Sequence, residues 1–250
     1  VALHPFALAE TDEAQANWWR PTPGLSWQIQ LDGPLDLRPN VKVFDLDLFD
    51  VPASTIARLK SRGVKVICYF NAGAYESWRP DAGSIPLRLR GAPVTNWRGE
   101  RWLDIRRIDD LMRVMGPRLD LAKQKGCDAV DPDNVNGFTQ RSGFPIGSND
   151  QLRYNRTIAS AAHARGLAVG LKNDLTQIPE LISSFDFAVN EQCFQYRECE
   201  ALKAFTASGK PVFGIEYSVT PAAFCRTAKA NKFYFLMKRT NLGAWRATCG

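Results

Sequence analysis

Short apolar runs of β type alternate with amphipathic helical stretches along most of this chain. After an irregular start over residues 1–25, with WWRPTPG near its end, come WQIQ (27–30) and VFDLDLFD (43–50), then a helix through STIARLKSRG. VKVICYF (64–70) leads into a long segment, 71–101, rich in Gly, Pro and Trp. WLDI (102–105), a helix through IDDLMRVMGPRLDLAKQKG and the run CDAVDPDN (127–134) follow. The next helix, NDQLRYNRTIASAAHARG, is opened by Asn149 and Asp150 and closed by Gly166, residue types that start and stop helices. AVGLKND (168–174), FAVNEQ (187–192), VFGIEY (212–217) and FYFLMK (233–238) complete the pattern, separated by helical sequence.

Strands alternating with helices imply a parallel sheet, and this many βα units in 250 residues favour closure. The pattern therefore predicts an α/β fold, a single (β/α)8 TIM barrel over 26–250 with an irregular N-terminal arm over 1–25. Nine strand candidates compete for eight places, and WLDI is the surplus one, because it runs straight into a helix start. A doubly wound open sheet is the alternative. It would want a glycine-rich phosphate turn after its first strand, and neither GxGxxG nor GxxxxGK[ST] occurs.

In a parallel barrel the C-terminal strand ends converge on the face that carries active sites. Those ends hold Asp45 and Asp47, Tyr69 and Asn71, then Asp131, Asp133 and Asn134. Later strands add Lys172, Asn173 and Asp174, then Asn190, Glu191 and Gln192, then Glu216 and Tyr217. Such a crevice suits a hydroxyl-rich ligand, with Trp27, Tyr69, Tyr75, Trp78, Tyr196 and Tyr217 as candidate stacking rings. Paired carboxylates across it are what glycosidic hydrolysis requires, one protonated to assist the leaving oxygen and one ionised to attack or to activate water. Each acid taken singly could equally cap a helix or act as a strut between strand ends. VFDLDLFD also looks like the Asp-x-Asp motif of haloacid-dehalogenase-type phosphatases, but Leu48 and Phe49 stand where that family has Thr or Gly, and no acidic metal pair follows on a suitable strand. Asp45, Asp47 and Asp50 as a calcium loop lack the EF-hand glycine and terminal Glu.

Composition narrows the picture further. With 45% hydrophobic and 11% aromatic residues the chain can bury a full core, which excludes disorder. No apolar run approaches the roughly 20 residues that span a bilayer. Lys and Arg exceed Asp and Glu by 32 to 26, a net +6, yet the basic residues are spread over helices such as RLKSR and LAKQK, the pattern of a solvated face and not of a nucleic-acid site. Of six cysteines, Cys68 and Cys127 fall in predicted buried strands and are expected as free, small hydrophobes. Disulfides are expected between Cys193 and Cys199 and between Cys225 and Cys249, which implies an oxidising compartment. With His4 and His163 the only histidines, a four-ligand zinc site is hard to assemble, so no metal is expected.

WQIQLDG, VFDLDLFD, VICYFNAGAYESWRPD, GCDAVDPDNVNGF, DQLRYN, GLAVGLKND, FAVNEQCFQYREC and FGIEY, in this order, closely resemble the endo-α-1,4-polygalactosaminidase family of glycoside hydrolases. The resemblance runs from about Trp19 to Tyr217. It implies a TIM barrel that cuts α-1,4-linked galactosamine-containing polymers internally, without a cofactor. The family's two catalytic acids fall on Asp133 of the PDN motif and Glu191 of the NEQ motif. We expect Glu191 as general acid/base and Asp133 as nucleophile in a retaining mechanism, with reversed roles or inversion as alternatives. Asp131 stands where the family usually has Glu, and Asn136 where it has Asp, which puts the acetylation preference in question. The expected protein is a secreted or periplasmic monomer acting on polysaccharide, with no nucleic-acid or membrane partner. A carbohydrate-binding barrel without catalysis is the non-enzymatic alternative.

Overall fold

The computed structural model describes residues 17–249, so most of the expected arm over 1–25 lies outside the described residues. The chain begins with β1 (Trp27–Gln30), β2 (Val43–Asp47), α1 (Ala53–Lys60) and β3 (Lys65–Asn71). An excursion then supplies β4 (Ala74–Glu76), β5 (Arg90–Pro93) and β6 (Glu100–Leu103) before α2 (Ile108–Lys125). The second half runs β7 (Ala129–Asp133), α3 (Ser148–His163), β8 (Ala168–Lys172), α4 (Ile178–Leu181), β9 (Phe187–Glu191), α5 (Cys193–Tyr196), α6 (Lys203–Ala207), β10 (Val212–Glu216), α7 (Pro221–Ala230) and β11 (Phe233–Met237). Eight strands pair in parallel in the order β1-β2-β3-β7-β8-β9-β10-β11, a (β/α)8 TIM barrel. WLDI contributes to β6, in a separate antiparallel sheet of order β4-β6-β5, and takes no place in the barrel.

Both faces of each barrel strand are buried, which is why the strands read as nearly continuous apolar runs. Val43, Ile67, Ala129, Ala168, Phe187, Val189, Phe213, Ile215 and Leu236 pack with Trp27 and Ile29 inside the barrel. Alternate residues, among them Phe44, Leu46, Val66, Val130, Leu171 and Phe235, pack beneath the helices. Gly170 is required by this interior: a Cβ there would meet the Phe187 ring at 2.4 Å.

The seam between β1 and β11 is held by side chains and by the returning C-terminal segment. The Trp27 indole donates to the Tyr234 carbonyl at 3.1 Å, and the Leu31 amide donates to Leu242 at 3.0 Å. The Lys238 ammonium donates to the carbonyls of Ile29 and Gly243, each at 2.7 Å. Residues 238–249 follow β11 in place of a last helix, bridged to it between Ala247 and Met237 and tied to α7 by the Cys225–Cys249 disulfide. At the opposite end, Trp18 stacks on His163 with centroids 4.0 Å apart and donates to Asp186, which Arg20 also pairs at 3.0 Å. Residues of the arm thus cover the N-terminal ends of the strands.

Cys193 is bonded to Cys199, and Cys68 is bonded to Cys127. The latter pair corrects the expectation of two free thiols. Because the excursion builds its own sheet, β3 and β7 are direct neighbours, and Cys68 of β3 meets Cys127, two residues ahead of β7, with Cα atoms 6.0 Å apart. Closing a loop of 59 residues restricts the unfolded chain by about 4 kcal/mol in the chain-entropy account. Replacing Cys68 and Cys127 together by alanine should lower unfolding free energy by an amount of that order. Urea denaturation of the double variant beside the unaltered protein checks it.

Candidate active site

Asp133 ends β7, Lys172 ends β8 and Glu191 ends β9, so strand order alone sets the lysine between the two acids. Strand alternation points all three to the barrel interior. The Lys172 ammonium lies 3.4 Å from Asp133 Oδ1, 3.6 Å from Asp131 Oδ2 and 3.8 Å from Glu191 Oε2. Burial opposes its charge, but the surrounding Asp131, Asp133 and Glu191 carboxylates outweigh that and hold it above the usual lysine range. Burial lifts Asp131 to about 6 against the pull of Lys172. Asp45, one inward position earlier than Asp47 on β2, is pushed well above the carboxylate range by burial and then by Asp131.

Hydrogen bonds orient the two outer acids. Asp133 accepts from the Tyr69 hydroxyl at 2.9 Å and from the Asn134 amide at 2.8 Å. Glu191 accepts from the Tyr217 hydroxyl and from Asn173 Nδ2 at 3.2 Å, while its own amide donates to Asn173 Oδ1 at 2.9 Å. Each strand end is followed at once by a left-handed residue: Asn134 at φ 60°, Asn173 at φ 56° and Gln192 at φ 66°. Such backbone turns the chain away sharply and leaves the preceding side chain on the rim, and asparagine tolerates it better than most residues.

Above these groups opens a cleft of about 1100 Å³. The excursion forms one wall with Glu76, Trp78, Arg79, Trp97, Glu100 and Trp102; Leu31, Asp32 and residues 240–242 form another. Gly73 lets the excursion leave β3 hard against the Asp133–Asn134 turn, since a Cβ would fall 1.8 Å from the Asn134 carbonyl oxygen. Arg79 binds Asp47 through Nη1 and Nη2 at 2.9 and 2.7 Å, and Glu76 through Nε and Nη2 at 2.7 and 3.0 Å. Among the described residues no cluster of His, Cys, Asp or Glu is arranged to hold a metal.

Of the residues singled out in the sequence, Asp47, Tyr69, Asn134, Lys172, Asn173 and Tyr217 line this cleft with Asp133 and Glu191. Asp45 and Asp131 are wholly buried below it. Asn71 is also buried, accepting from the Ala74 amide at 2.7 Å and donating to Glu100 at 3.3 Å. Three others lie apart. Glu216 points outward from β10 and accepts from the Phe194 amide at 2.8 Å, steadying α5. Gln192 donates to Gln195, and Tyr196 is 60% exposed on α5, outside the cleft wall. Glu76, Arg79, Trp97 and Glu100 were not singled out. The signal for them was the length of segment 71–101, since connections longer than about 15 residues in a compact domain are commonly functional.

The model of glycoside-hydrolase family GH114 matches residues 8–250. Among solved structures, Aspergillus fumigatus Ega3 in complex with galactosamine superposes with a TM-score of 0.89 at 41% identity, over 92% of this chain and 97% of that one. The glycoside hydrolase domain of PelA from Pseudomonas aeruginosa gives a TM-score of 0.71 at 15% identity, over 90% and 98%, a likeness of fold. A D-allulose 3-epimerase from Methylomonas sp. shares the fold more distantly, with a TM-score of 0.51 at 10% identity over 86% of this chain and 85% of that one. No curated protein matches the chain.

Among the described residues Arg79 is the one cation that bonds the buried carboxylates of both Asp47 and Glu76, and removing one partner of a buried ion pair strands the other charge. Arg79→Met should therefore cost about 3–5 kcal/mol of stability. Adding Asp47→Asn and Glu76→Gln should recover most of it, as chemical denaturation of the single and triple variants would show.

Proposed function

This chain belongs to glycoside-hydrolase family GH114, and from that premise we propose that it cleaves α-1,4-linked, galactosamine-containing polysaccharide internally, using Asp133 and Glu191. The observation that carries this reading is the pair itself. Two carboxyl groups at the ends of β7 and β9 flank one cleft, in a chain 41% identical to a protein solved with galactosamine. The cleft is larger than the usual 300–1,000 Å³ of a small-molecule pocket, which suits a stretch of polymer. Its lining acids suit a substrate that carries free amino groups.

Asp133 is the better placed nucleophile. It takes a backbone amide and a phenol as donors and stands nearer to the Lys172 ammonium than Glu191 does. Glu191, held by the neutral donors Tyr217 and Asn173, delivers the proton to the leaving oxygen and then withdraws one from the incoming water. Lys172 contacts an oxygen of each acid, so those two oxygens are separated by no more than the two contacts laid end to end. That ceiling lies above the retaining spacing of about 5–5.5 Å and within the inverting range of about 6.5–9.5 Å, so the contacts are compatible with retention, which is our assignment. The site is complete within one chain and its chemistry needs no cofactor, consistent with a monomer. Three disulfides support an extracellular or periplasmic setting.

On partially deacetylated α-1,4-galactosaminogalactan, the unaltered protein should release oligomers of several lengths, resolved by mass spectrometry. Asp133→Asn and Glu191→Gln should each lower the rate by about 10²–10⁴ while melting like the parent. NMR of the first products should show the α anomer; β would assign inversion.

A further inference from the structure

Three carboxyls of the cleft wall belong to one cluster, and only two of them have a cation. Arg79 serves Asp47 and Glu76. Glu100, opposite Glu76 in the β4–β6 ladder, faces the same cleft, is 7% exposed, and forms no ion pair among the described residues. Its hydrogen-bond partner is the neutral amide of Asn71 at 3.3 Å, a contact that a glutamine would preserve. A buried carboxyl without a cation is costly, and packing alone does not call for one here. Two exposed rings of the same wall are also placed for a ligand. Trp78 and Trp97 are about half exposed and line the same wall, with Trp97 accepting the Glu100 amide hydrogen bond at 3.2 Å through its carbonyl.

We propose that Glu100 is a specificity-determining residue that accepts the free ammonium of a galactosamine unit, while Trp78 and Trp97 cover the sugar ring, so that the cleft selects deacetylated units. This rests on the polysaccharide reading above and narrows it. An ammonium supplies the ion-pair partner that Glu100 does not have among the described residues. An N-acetyl group is neutral and leaves the carboxyl unpaired. Burial foremost, then Glu76 and Asp133, push the Glu100 carboxyl up to about 8, with Arg79 and the Asn71 amide pulling the other way. Tyr69 also faces it. At pH 7 the empty cleft therefore holds Glu100 protonated, and an arriving ammonium displaces that proton to solvent. At pH 9 the carboxyl is already ionised, so nothing is released.

The test compares wild type with Glu100→Gln on fully deacetylated and fully N-acetylated α-1,4-linked oligomers. Proton release on binding is measured by calorimetry at pH 7 in buffers of different ionisation heat, in a Glu191→Gln background that halts turnover. We expect Glu100→Gln to lower kcat/KM for the deacetylated oligomer by at least about tenfold, to leave any residual activity on the acetylated one unchanged, and to abolish the proton release. The variant should melt no lower than wild type at pH 7. A carboxyl raised from the ordinary glutamate range to about 8 makes the folded state lose stability as pH climbs through that interval, and the amide removes this loss. Equal losses on both oligomers, or none, would overturn the proposal and leave Glu100 a strut for Asn71. Should the variant not fold, absence of proton release from Glu191→Gln alone overturns it equally. Failure of wild type to bind or cut either oligomer would instead overturn the polysaccharide reading, and this inference with it.

Discussion

The active face depends on one buried cation. Asp131, Asp133 and Glu191 converge from neighbouring strands, and like charges so close would either repel or force protons onto one another. Lys172 resolves this because β8 lies between β7 and β9, so its ammonium reaches an acid on each side. Two residues earlier on the same strand Gly170 yields its side-chain volume to the Phe187 ring, its partner on β9. Strand order thus sets the ammonium, and the ammonium permits the acids. Asp45 meets the same crowding differently: burial and then Asp131 push its carboxyl well above the usual range, with Lys172 pulling the other way.

The rim is then fixed from several directions. Left-handed Asn134, Asn173 and Gln192 turn the chain off the three strand ends at once. The Asp133 carbonyl accepts the amides of Ala72 and Gly73, so the excursion is anchored on the same residue whose carboxyl faces the cleft. Buried Arg118 holds the next part of that wall, donating to the Asn71 carbonyl at 2.6 Å and pairing with Asp81 at 2.7 Å. On the other side the Cys193–Cys199 disulfide and the Glu216 carboxylate fix the turn that follows Glu191. Such multiple support keeps a catalytic constellation within the narrow geometry it needs.

How far the sequence could be read follows from which of these constraints are local. Barrel strands and their acidic ends were legible because both-face burial writes a continuous apolar run and strand topology sends every end to one face. Strand parity is also local: Ile215 and Tyr217 face inward, so Glu216 between them faces outward. Tyr196 follows Glu191 closely along the chain, yet the turn at Gln192 carries it away from the cleft. The Cys68–Cys127 bond and the Arg79 pairings were illegible for a different reason. Both join residues brought together only once the excursion forms its own sheet, and no periodicity encodes where an excursion folds back.

Net charge is the plainest case of a global number that misleads about a site. The +6 of the chain is carried on and beside the outer helices, where Arg58, Lys60, Arg62, Lys123, Lys203, Arg226 and Lys229 are exposed. Within the cleft Asp32, Asp47, Asp50, Glu76 and Asp133 outnumber Arg79, Arg141 and Lys172, and two of those cations are already engaged by carboxylates. The low-dielectric walls of a cleft concentrate the field of its own lining, while exposed surface charges are screened within about 8–10 Å. A basic exterior therefore does not oppose a cationic polymer at the barrel mouth. It repels that polymer from the helical flanks and leaves the acidic cleft as the favourable place to settle.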